Sequence, residues 1–237
     1  MSERESDVAD IAGMEKLWVV VPAYNEASVI ESVIRGLQTL PCRIVLVDDG
    51  SEDGTSEAVA WSGVIVLRHA VNLGQGAALQ TGITYCLRNG AEYVCTFDAD
   101  GQHSLEAVGR LFDSVRHSGV DVVLGSRNLG STESIPWARR CVLLMALWFT
   151  RLHTGLRVTD THNGLRVFTA DAARKIRLTQ PRMAHASEIL SQIASLQLRF
   201  VEVPVTIRYT SYSLKKGQSL TGALKILLDL FYSMWSR

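Results

Sequence analysis

The chain carries no net charge, no apolar run long enough to cross a bilayer and no closely spaced cysteine pair. Its 24 basic and 24 acidic residues cancel, which argues against a nucleic-acid partner gripped by a globally basic surface and leaves only local basic clusters. The longest apolar stretch, 141–149, is about half of the roughly 18–20 residues that a spanning helix needs. Cys42, Cys86, Cys95 and Cys141 lie far apart without a Cys-x-x-Cys, so reduced structural thiols of a cytosolic protein are favoured over disulfides or zinc. The opening 1–16 is polar and mixed in charge and lacks an apolar h-region, so it reads as a flexible tail and not as a signal peptide. Neither an internal repeat nor a low-complexity linker interrupts the rest.

What is present is enough for a core. Of 237 residues 47% are hydrophobic and 20% charged, and 17–237 reads as a single domain. Short continuous apolar runs at 17–21, 44–47, 64–67, 93–97 and 120–124 predict buried strands. Between them, helical spacing predicts helices over 27–40, 55–62, 75–89 and 105–117. Strand and helix therefore alternate to about 125, the pattern of an α/β protein with a mostly parallel central sheet flanked by helices. Beyond 130 the pattern changes: an apolar helix over 136–153, a loop-like stretch over 159–166, a helix over 186–196, an alternating strand over 200–209 and an amphipathic helix over 219–235 are predicted.

Polar clusters fall where parallel strands end, at 22–26, 48–51, 98–102 and 126–127. In such sheets ligands bind beyond the carboxyl ends of strands. Within Phe97-Asp98-Ala99-Asp100-Gly101-Gln102-His103, a turn at Gly101 can bring both carboxylates and the Gln102 amide to one point. Two anionic oxygens and one neutral oxygen suit Mg2+ or Mn2+, which would take its other ligands from water and a substrate diphosphate.

Taken in order, Val21-Pro22-Ala23-Tyr24-Asn25-Glu26, Val47-Asp48-Asp49-Gly50-Ser51, Asn72-Leu73-Gly74-Gln75-Gly76, Asp98 to His103 and Gly125-Ser126-Arg127 resemble the family 2 inverting glycosyltransferases. The segments 160–168, 188–190 and 202–205 are similar to the dolichol-phosphate mannosyltransferase branch. The wording at 160–168, His185-Ala186-Ser187-Glu188 and Tyr212-Ser213-Leu214-Lys215-Lys216-Gly217-Gln218 resembles bacterial polyprenyl-phospho-N-acetylgalactosaminyl synthases. The resemblance spans 17–235 and implies the GT-A nucleotide-sugar-binding fold, with a nucleotide-sugar and metal half over 17–128 and an acceptor and membrane half over 129–237. It implies that Pro22, Tyr24 and Glu26 contact the nucleotide, and that Asp49, with Val47 lining the same pocket, reads the base edge. Asp48 is the alternative anchor of that loop. Asp98, Ala99, Asp100 and Gln102 match the metal and diphosphate site, and Gly74 and Gly76 a loop beside the nucleotide.

The activity implied is transfer of a sugar, N-acetylgalactosamine or another hexose or N-acetylhexosamine, from a nucleotide sugar to polyprenyl phosphate. A phosphate monoester is ionised near neutral pH, so the attacking group needs no base. Two like-charged phosphates held close together need arginines. Arg127, Arg139, Arg140 and Arg166 are the candidates, with Asp160 and Asn163 in the motif of Arg166. Many mannosyltransferase relatives have an arginine before Gly-x-Ser-Lys, whereas this chain has Lys215 and Lys216, which favours a UDP over a GDP donor. Glu188 reads as positioning an arginine or a sugar hydroxyl; in a rival reading it is the base for a glycan hydroxyl acceptor. A non-catalytic nucleotide-sugar-binding protein is the rival of another class. His103, His162 and His185 rank below the arginines. The apolar 141–149 between arginines, and 224–235 with Phe231, Tyr232 and Trp235, suit helices lying on the cytoplasmic face of a membrane, with core packing or a homo-oligomer seam as the alternative.

Overall fold

A computed structural model describes residues 13–130, 147–148, 150–152, 154–161, 163–180 and 185–207. Arg139, Arg140, Cys141, His162, Lys215 and Lys216, most of the helix predicted over 136–153, and the helix over 219–235 lie outside the described residues.

Strands β1 (Leu17–Ala23), β2 (Arg43–Asp48), β3 (Ile65–Arg68), β4 (Tyr93–Thr96), β5 (Val122–Ser126), β6 (Arg166–Thr169) and β7 (Phe200–Pro204) form one seven-stranded sheet in the order β3-β2-β1-β4-β6-β5-β7. Parallel pairing joins β3, β2, β1 and β4, and also β5 and β7; β6 runs antiparallel between β4 and β5. Helices are α1 (Ala27–Leu37), α2 (Gln75–Arg88), α3 (Leu105–His117), α4 (Ala170–Lys175) and α5 (His185–Ser195).

Every residue of β1 is buried, because alternate side chains enter different cores. Val19 and Val21 pack with Ile30, Ile34 and Leu37 of α1 and Leu111, Phe112 and Val115 of α3. Trp18 and Val20 pack with Leu79 and Ile83 of α2 and Ile189, Leu190 and Ile193 of α5. Helix α2 lies close to the sheet because Gly82 has no Cβ; one there would meet Val20 Cγ1, and Val47 Cγ2 at 3.1 Å. Burial pushes the Cys42 thiol up to about 11 and that of Cys86 to about 12, and raises that of Cys95, so these three free thiols stay protonated.

Three expectations change. The helix predicted over 55–62 shrinks to a 3-10 turn, Glu57–Val59. Side chains compete there for the backbone: Asp53 accepts from Thr55 N (3.1 Å) and from the Thr55 hydroxyl (2.5 Å), and Asp48 accepts from Ser56. The run after the 159–166 loop forms β6 and then α4, whose N-cap Thr169 accepts from Ala172 N at 3.2 Å. Strand β7 stops at Pro204 instead of reaching 209, although Ile207 still bridges to His103.

Candidate active site

The carboxyl ends of β1, β2, β3, β4 and β5 lie along one edge, and antiparallel β6 brings its entry loop, 159–165, to the same edge. The segments at 24–26, 48–51, 69–74, 97–103 and 126–128 therefore gather there with the 159–165 loop.

Beside β2 the aspartates are anchors. Asp48 is fully buried and accepts from Ser51 N (2.8 Å) and the Ser56 hydroxyl, with Arg68 Nε at 3.6 Å. Burial alone would raise its pKa, but these donors and the Arg68 charge hold it below the ordinary value. Asp49 accepts from Leu73 N (2.9 Å), Gly74 N (2.7 Å) and His69 Nδ1 (2.7 Å). The other ring nitrogen of His69 faces the Thr81 hydroxyl at 3.0 Å. A carboxylate offers about four acceptor positions. Three are spent on holding the 69–74 loop, which leaves Asp49 about one position for the base edge expected of it. Gly50, at φ 76°, lets that loop close: a Cβ there would lie 2.7 Å from the Val71 carbonyl carbon.

The Val47 side chain is fully buried against α2, so no more than its backbone is open to a ligand in this structure. Pro22 pairs with Val47 in the sheet, Tyr24 stands 42% exposed at the rim, and Glu26 is buried with its amide donating to Thr55 Oγ1 at 2.9 Å. Ala99 is buried with the α1 and α3 core, so only its backbone is available to a ligand.

At the end of β4 the two carboxylates face opposed surroundings. Asp98 Oδ1 accepts from Gln75 Nε2 (3.0 Å), at the start of α2, and Oδ2 from His103 Nε2 (3.2 Å). Burial raises the Asp98 pKa, but the His103 hydrogen bond and the positive charges of His103, His185 and Arg166 outweigh it and hold the value below the ordinary one. Asp100 accepts only from its own loop, from Gln102 N (3.1 Å) and Gln102 Nε2 (2.7 Å). Burial first, then the negative charges of Asp98 and Glu26, push Asp100 up to about 6. Among the described residues no group of three or more His, Cys, Asp or Glu side chains is placed to hold a metal ion, so Asp100 and the Gln102 amide would need water and ligand oxygens to complete a cation's shell. The Gln102 amide needs only a half-turn to present its oxygen.

The acceptor-side candidates divide. Arg127 and Asp160 form a fork-to-fork pair, Nε to Oδ2 and Nη2 to Oδ1 at 2.7 Å each, with Arg127 N also on Oδ2 at 3.0 Å. Glu202 secures the same loop by accepting from Thr159 N (2.9 Å) and Asp160 N (3.2 Å). Arg166 is buried on β6 with Nη1 lacking a hydrogen-bond partner, and Asn163 Nδ2 is likewise buried and unpaired. Burial lowers the Arg166 pKa to about 10, against the raising charges of Asp98 and Asp160, so it remains a cation at neutral pH. Among the described residues Glu188 meets no arginine. Its carboxylate accepts from Thr179 N (3.0 Å), Thr179 Oγ1 (2.6 Å) and Gln180 N (2.9 Å).

Residues that the sequence did not single out for these roles are Gln75, His69 and Glu202, while His103, ranked below the arginines, stands against Asp98. Gln75 and Glu202 sit inside motifs that were noticed, but nothing local announces that their side chains reach Asp98 or the 159–160 backbone. Gly164 is the tightest example. A Cβ there would run into the Asp98 carboxylate, and Thr96 Oγ1 donates to its carbonyl at 2.6 Å.

Residues 18–176 match the profile of glycosyl transferase family 2. An uncharacterised protein of Methanocaldococcus jannaschii is 37% identical over 235 residues, covering 97% of this chain and 96% of its own. The UDP-N-acetylglucosamine–dolichyl-phosphate N-acetylglucosaminyltransferase of Methanococcus voltae is 30% identical, covering 90% of this chain and 94% of its own. The polyprenol monophosphomannose synthase of Mycolicibacterium smegmatis is 31% identical, covering 92% and 88%. Among solved structures, glucosyl-3-phosphoglycerate synthase from Mycobacterium tuberculosis with Mn2+ and UDP-glucose superposes with a TM-score of 0.67 at 18% identity, covering 94% of this chain and 82% of that one. That likeness extends to the fold.

Proposed function

The chain belongs to glycosyl transferase family 2, and we propose that it moves a hexose or N-acetylhexosamine from a nucleotide sugar to the phosphate of a polyprenyl phosphate, inverting the anomeric centre. The named relatives act on dolichyl or polyprenol phosphate, and one of them draws on a UDP-sugar. UDP is the favoured donor nucleotide, with GDP as the alternative.

The observation that carries this reading is the opposed environment of Asp98 and Asp100. Asp98 is ionised, near the Arg166 cation and held from two sides by Gln75 and His103, so it suits a hydroxyl of the donor ribose or sugar. Asp100 and Gln102 would hold Mg2+ or Mn2+. When bound, that cation supplies charge neutralisation for the departing nucleotide diphosphate. The chain's own residues do the rest. A lipid phosphate oxygen attacks the anomeric carbon, the bond from that carbon to the diphosphate oxygen breaks, and its electron pair leaves with the nucleotide. No proton is removed from the attacking oxygen, and Glu188, occupied by Thr179 and Gln180, is not needed as a base. Arg166 and Asn163 carry buried donors without partners, which suits an anionic acceptor or a sugar hydroxyl. Arg127, neutralised by Asp160, shapes the loop beside them.

The acceptor's lipid chain calls for a membrane surface. Among the described residues no helix is long and apolar enough to cross one. Trp148 and Leu152 are four residues apart in a helical segment and are 67% and 70% exposed, while Leu147 and Thr150 are buried. An outward apolar face of that kind fits peripheral attachment, which we assign to the cytoplasmic leaflet, where nucleotide sugars are available.

The test is a screen of radiolabelled nucleotide sugars against polyprenyl phosphates with Mg2+ and Mn2+. Expected is chelator-sensitive formation of an acid-labile polyprenyl-phospho-sugar. Transfer confined to free glycans or to water, with none to lipid phosphate, would overturn the assignment.

A further inference from the structure

Residues 177–180 form no sheet, yet each of their four backbone N–H groups is taken by a side chain from a helix. Arg177 N donates to Gln192 Oε1 (2.8 Å), Leu178 N to Gln80 Oε1 (2.7 Å), Thr179 N to Glu188 (3.0 Å) and Gln180 N to Glu188 Oε2 (2.9 Å). Gln192 Nε2 returns a bond to the Arg177 carbonyl at 2.5 Å. The strap is thus sewn to α2 through Gln80 and to α5 through Glu188 and Gln192. Unpaired backbone would otherwise have to be solvated, and a loop so completely satisfied by fixed side chains is held in one place.

That place is the N-terminal turn of α2. The Gln180 carbonyl oxygen lies 2.5 Å, and His185 Cβ 3.1 Å, from where a Cβ on Gly76 would stand. Gly76 follows Gln75, whose amide grips Asp98 at 3.0 Å, and Gly74, whose N–H is bound by Asp49 at 2.7 Å. His185, which opens α5, also bears on Asp98, helping to hold its pKa down.

From this geometry we infer that Glu188 is a positioning residue: by tying Thr179 and Gln180 down, it presses the strap onto Gly76 and so fixes the α2 turn that aims Gln75 at Asp98. The inference rests on the reading of this edge as the donor site and goes beyond it. It gives Glu188 a role through its acceptor oxygens, not through its proton. It also explains a requirement for glycine at 76, because any larger residue displaces the Gln180 carbonyl.

The experiment compares wild type with Glu188→Ala, Glu188→Gln and Gly76→Ala. It measures amide hydrogen exchange across 177–180, calorimetric affinity for UDP with Mn2+, and the pH profile of transfer. In Glu188→Ala, exchange at Thr179 and Gln180 should quicken at least tenfold and UDP–Mn2+ affinity should fall at least fivefold, while exchange in β1 and β4 stays unchanged. Glu188→Gln keeps one acceptor oxygen for Thr179 but turns its amide N–H towards Gln180 N, so its affinity should fall between wild type and Glu188→Ala, with an unaltered pH profile. Gly76→Ala should reproduce the affinity loss with Glu188 in place. If Glu188→Gln flattens the acid limb of the profile, or loses transfer while binding UDP–Mn2+ as wild type does, the positioning role is wrong. Faster exchange with unchanged UDP–Mn2+ affinity in both Glu188→Ala and Gly76→Ala overturns it as well, and leaves the donor-site reading standing. Wild type that binds neither UDP nor GDP with Mn2+ removes both.

Discussion

Replacing Asp100 by Asn should make the metal-free protein more stable while destroying its response to metal. The carboxyl group of Asp100 is raised from an ordinary 3.8 to about 6, first by burial and then by the charges of Asp98 and Glu26. A raised carboxylate value means that the ionised form is worse off in the folded state than in the unfolded one. The resulting destabilisation is complete above about pH 6, shrinks as pH falls from 6 towards 3.8, and is absent below 3.8. At 1.36 kcal/mol per pH unit, that gap corresponds to about 3 kcal/mol at pH 8. Asparagine keeps an oxygen to accept from Gln102 N and carries no charge. Its amide then faces the Gln102 carboxamide, which needs only to turn over to offer an oxygen.

For a chain of this size about 1 kcal/mol moves the melting temperature by roughly 2–4 °C. Asp100→Asn should therefore melt about 6–12 °C above wild type at pH 8 in chelator, the advantage falling to about half at pH 5 and nearly vanishing at pH 4. Adding Mn2+ with UDP at a hundredfold excess over its dissociation constant should stabilise wild type by about 2.7 kcal/mol and leave the variant unmoved. Scanning fluorimetry over a pH series, with and without Mn2+ and UDP, reads all of this. A variant no more stable than wild type at pH 8, or one whose advantage grows on acidification, would refute the claim that this carboxylate is held ionised against its surroundings.

Other perturbations are simpler. Gly82→Ala forces a methyl group against Val20 and Val47 and should cost about 1–3 kcal/mol in chemical denaturation, without altering UDP affinity per folded molecule. Gly164→Ala places a carbon against the Asp98 carboxylate, so UDP–Mn2+ affinity measured by calorimetry should fall at least tenfold in a protein that still melts cooperatively. Asp160→Asn strips one partner from the largely enclosed Arg127 pair and should destabilise by about 3 kcal/mol; the Arg127→Ala, Asp160→Ala double variant should lose less than the sum of the single changes in urea unfolding. Trp148→Ser with Leu152→Ser should reduce co-sedimentation with vesicles at least fivefold while UDP–Mn2+ binding stays intact; equal sedimentation would leave that exposed face without a membrane role.

Elements with strong local signals were legible in advance. The α3 helix runs over the predicted 105–117 because Ser104 caps it, accepting from Ala107 N at 3.3 Å, and its apolar spacing is regular. The 55–62 segment was misread because its apolar spacing says helix while Asp48 and Asp53 bind its backbone and hydroxyl groups, a competition that spacing does not encode. Strand β6 was hidden for another reason: it is four residues long, opens on an arginine, and gains its strand character from β4 and β5 on either side. The motif positions at the strand ends were likewise readable, whereas the partners were not. Glu188 meets Thr179, nine residues away, and Gln75 meets Asp98, 23 residues away; neither pairing has any periodicity from which to predict it.

The two aspartate pairs make the physical difference plain. Asp48-Asp49 and Asp98-Ala99-Asp100 look alike in sequence, each an acidic pair following a buried strand and preceding a glycine. What separates them is who answers the charge. Asp48 and Asp49 are met by backbone amides of Ser51, Leu73 and Gly74, groups that any sequence would supply once the loops close, and by Ser56, Arg68 and His69. Their charge is neutralised within the fold, so they build loops. Asp98 is answered by Gln75 from α2 and by His103 from the far end of its own loop, which fix its direction. Asp100 is hydrogen-bonded by Gln102 of its own turn and eased by the charge of His103, but burial and the carboxylates of Asp98 and Glu26 outweigh both. Moving across the sheet from β2 to β4, the fold progressively stops satisfying its own acids. An ionised group left short of positive charge in a crowded edge is unstable unless a ligand completes it, and that deficit, more than the Asp-x-Asp spelling, is why we propose the end of β4 as the place for a cation and a diphosphate.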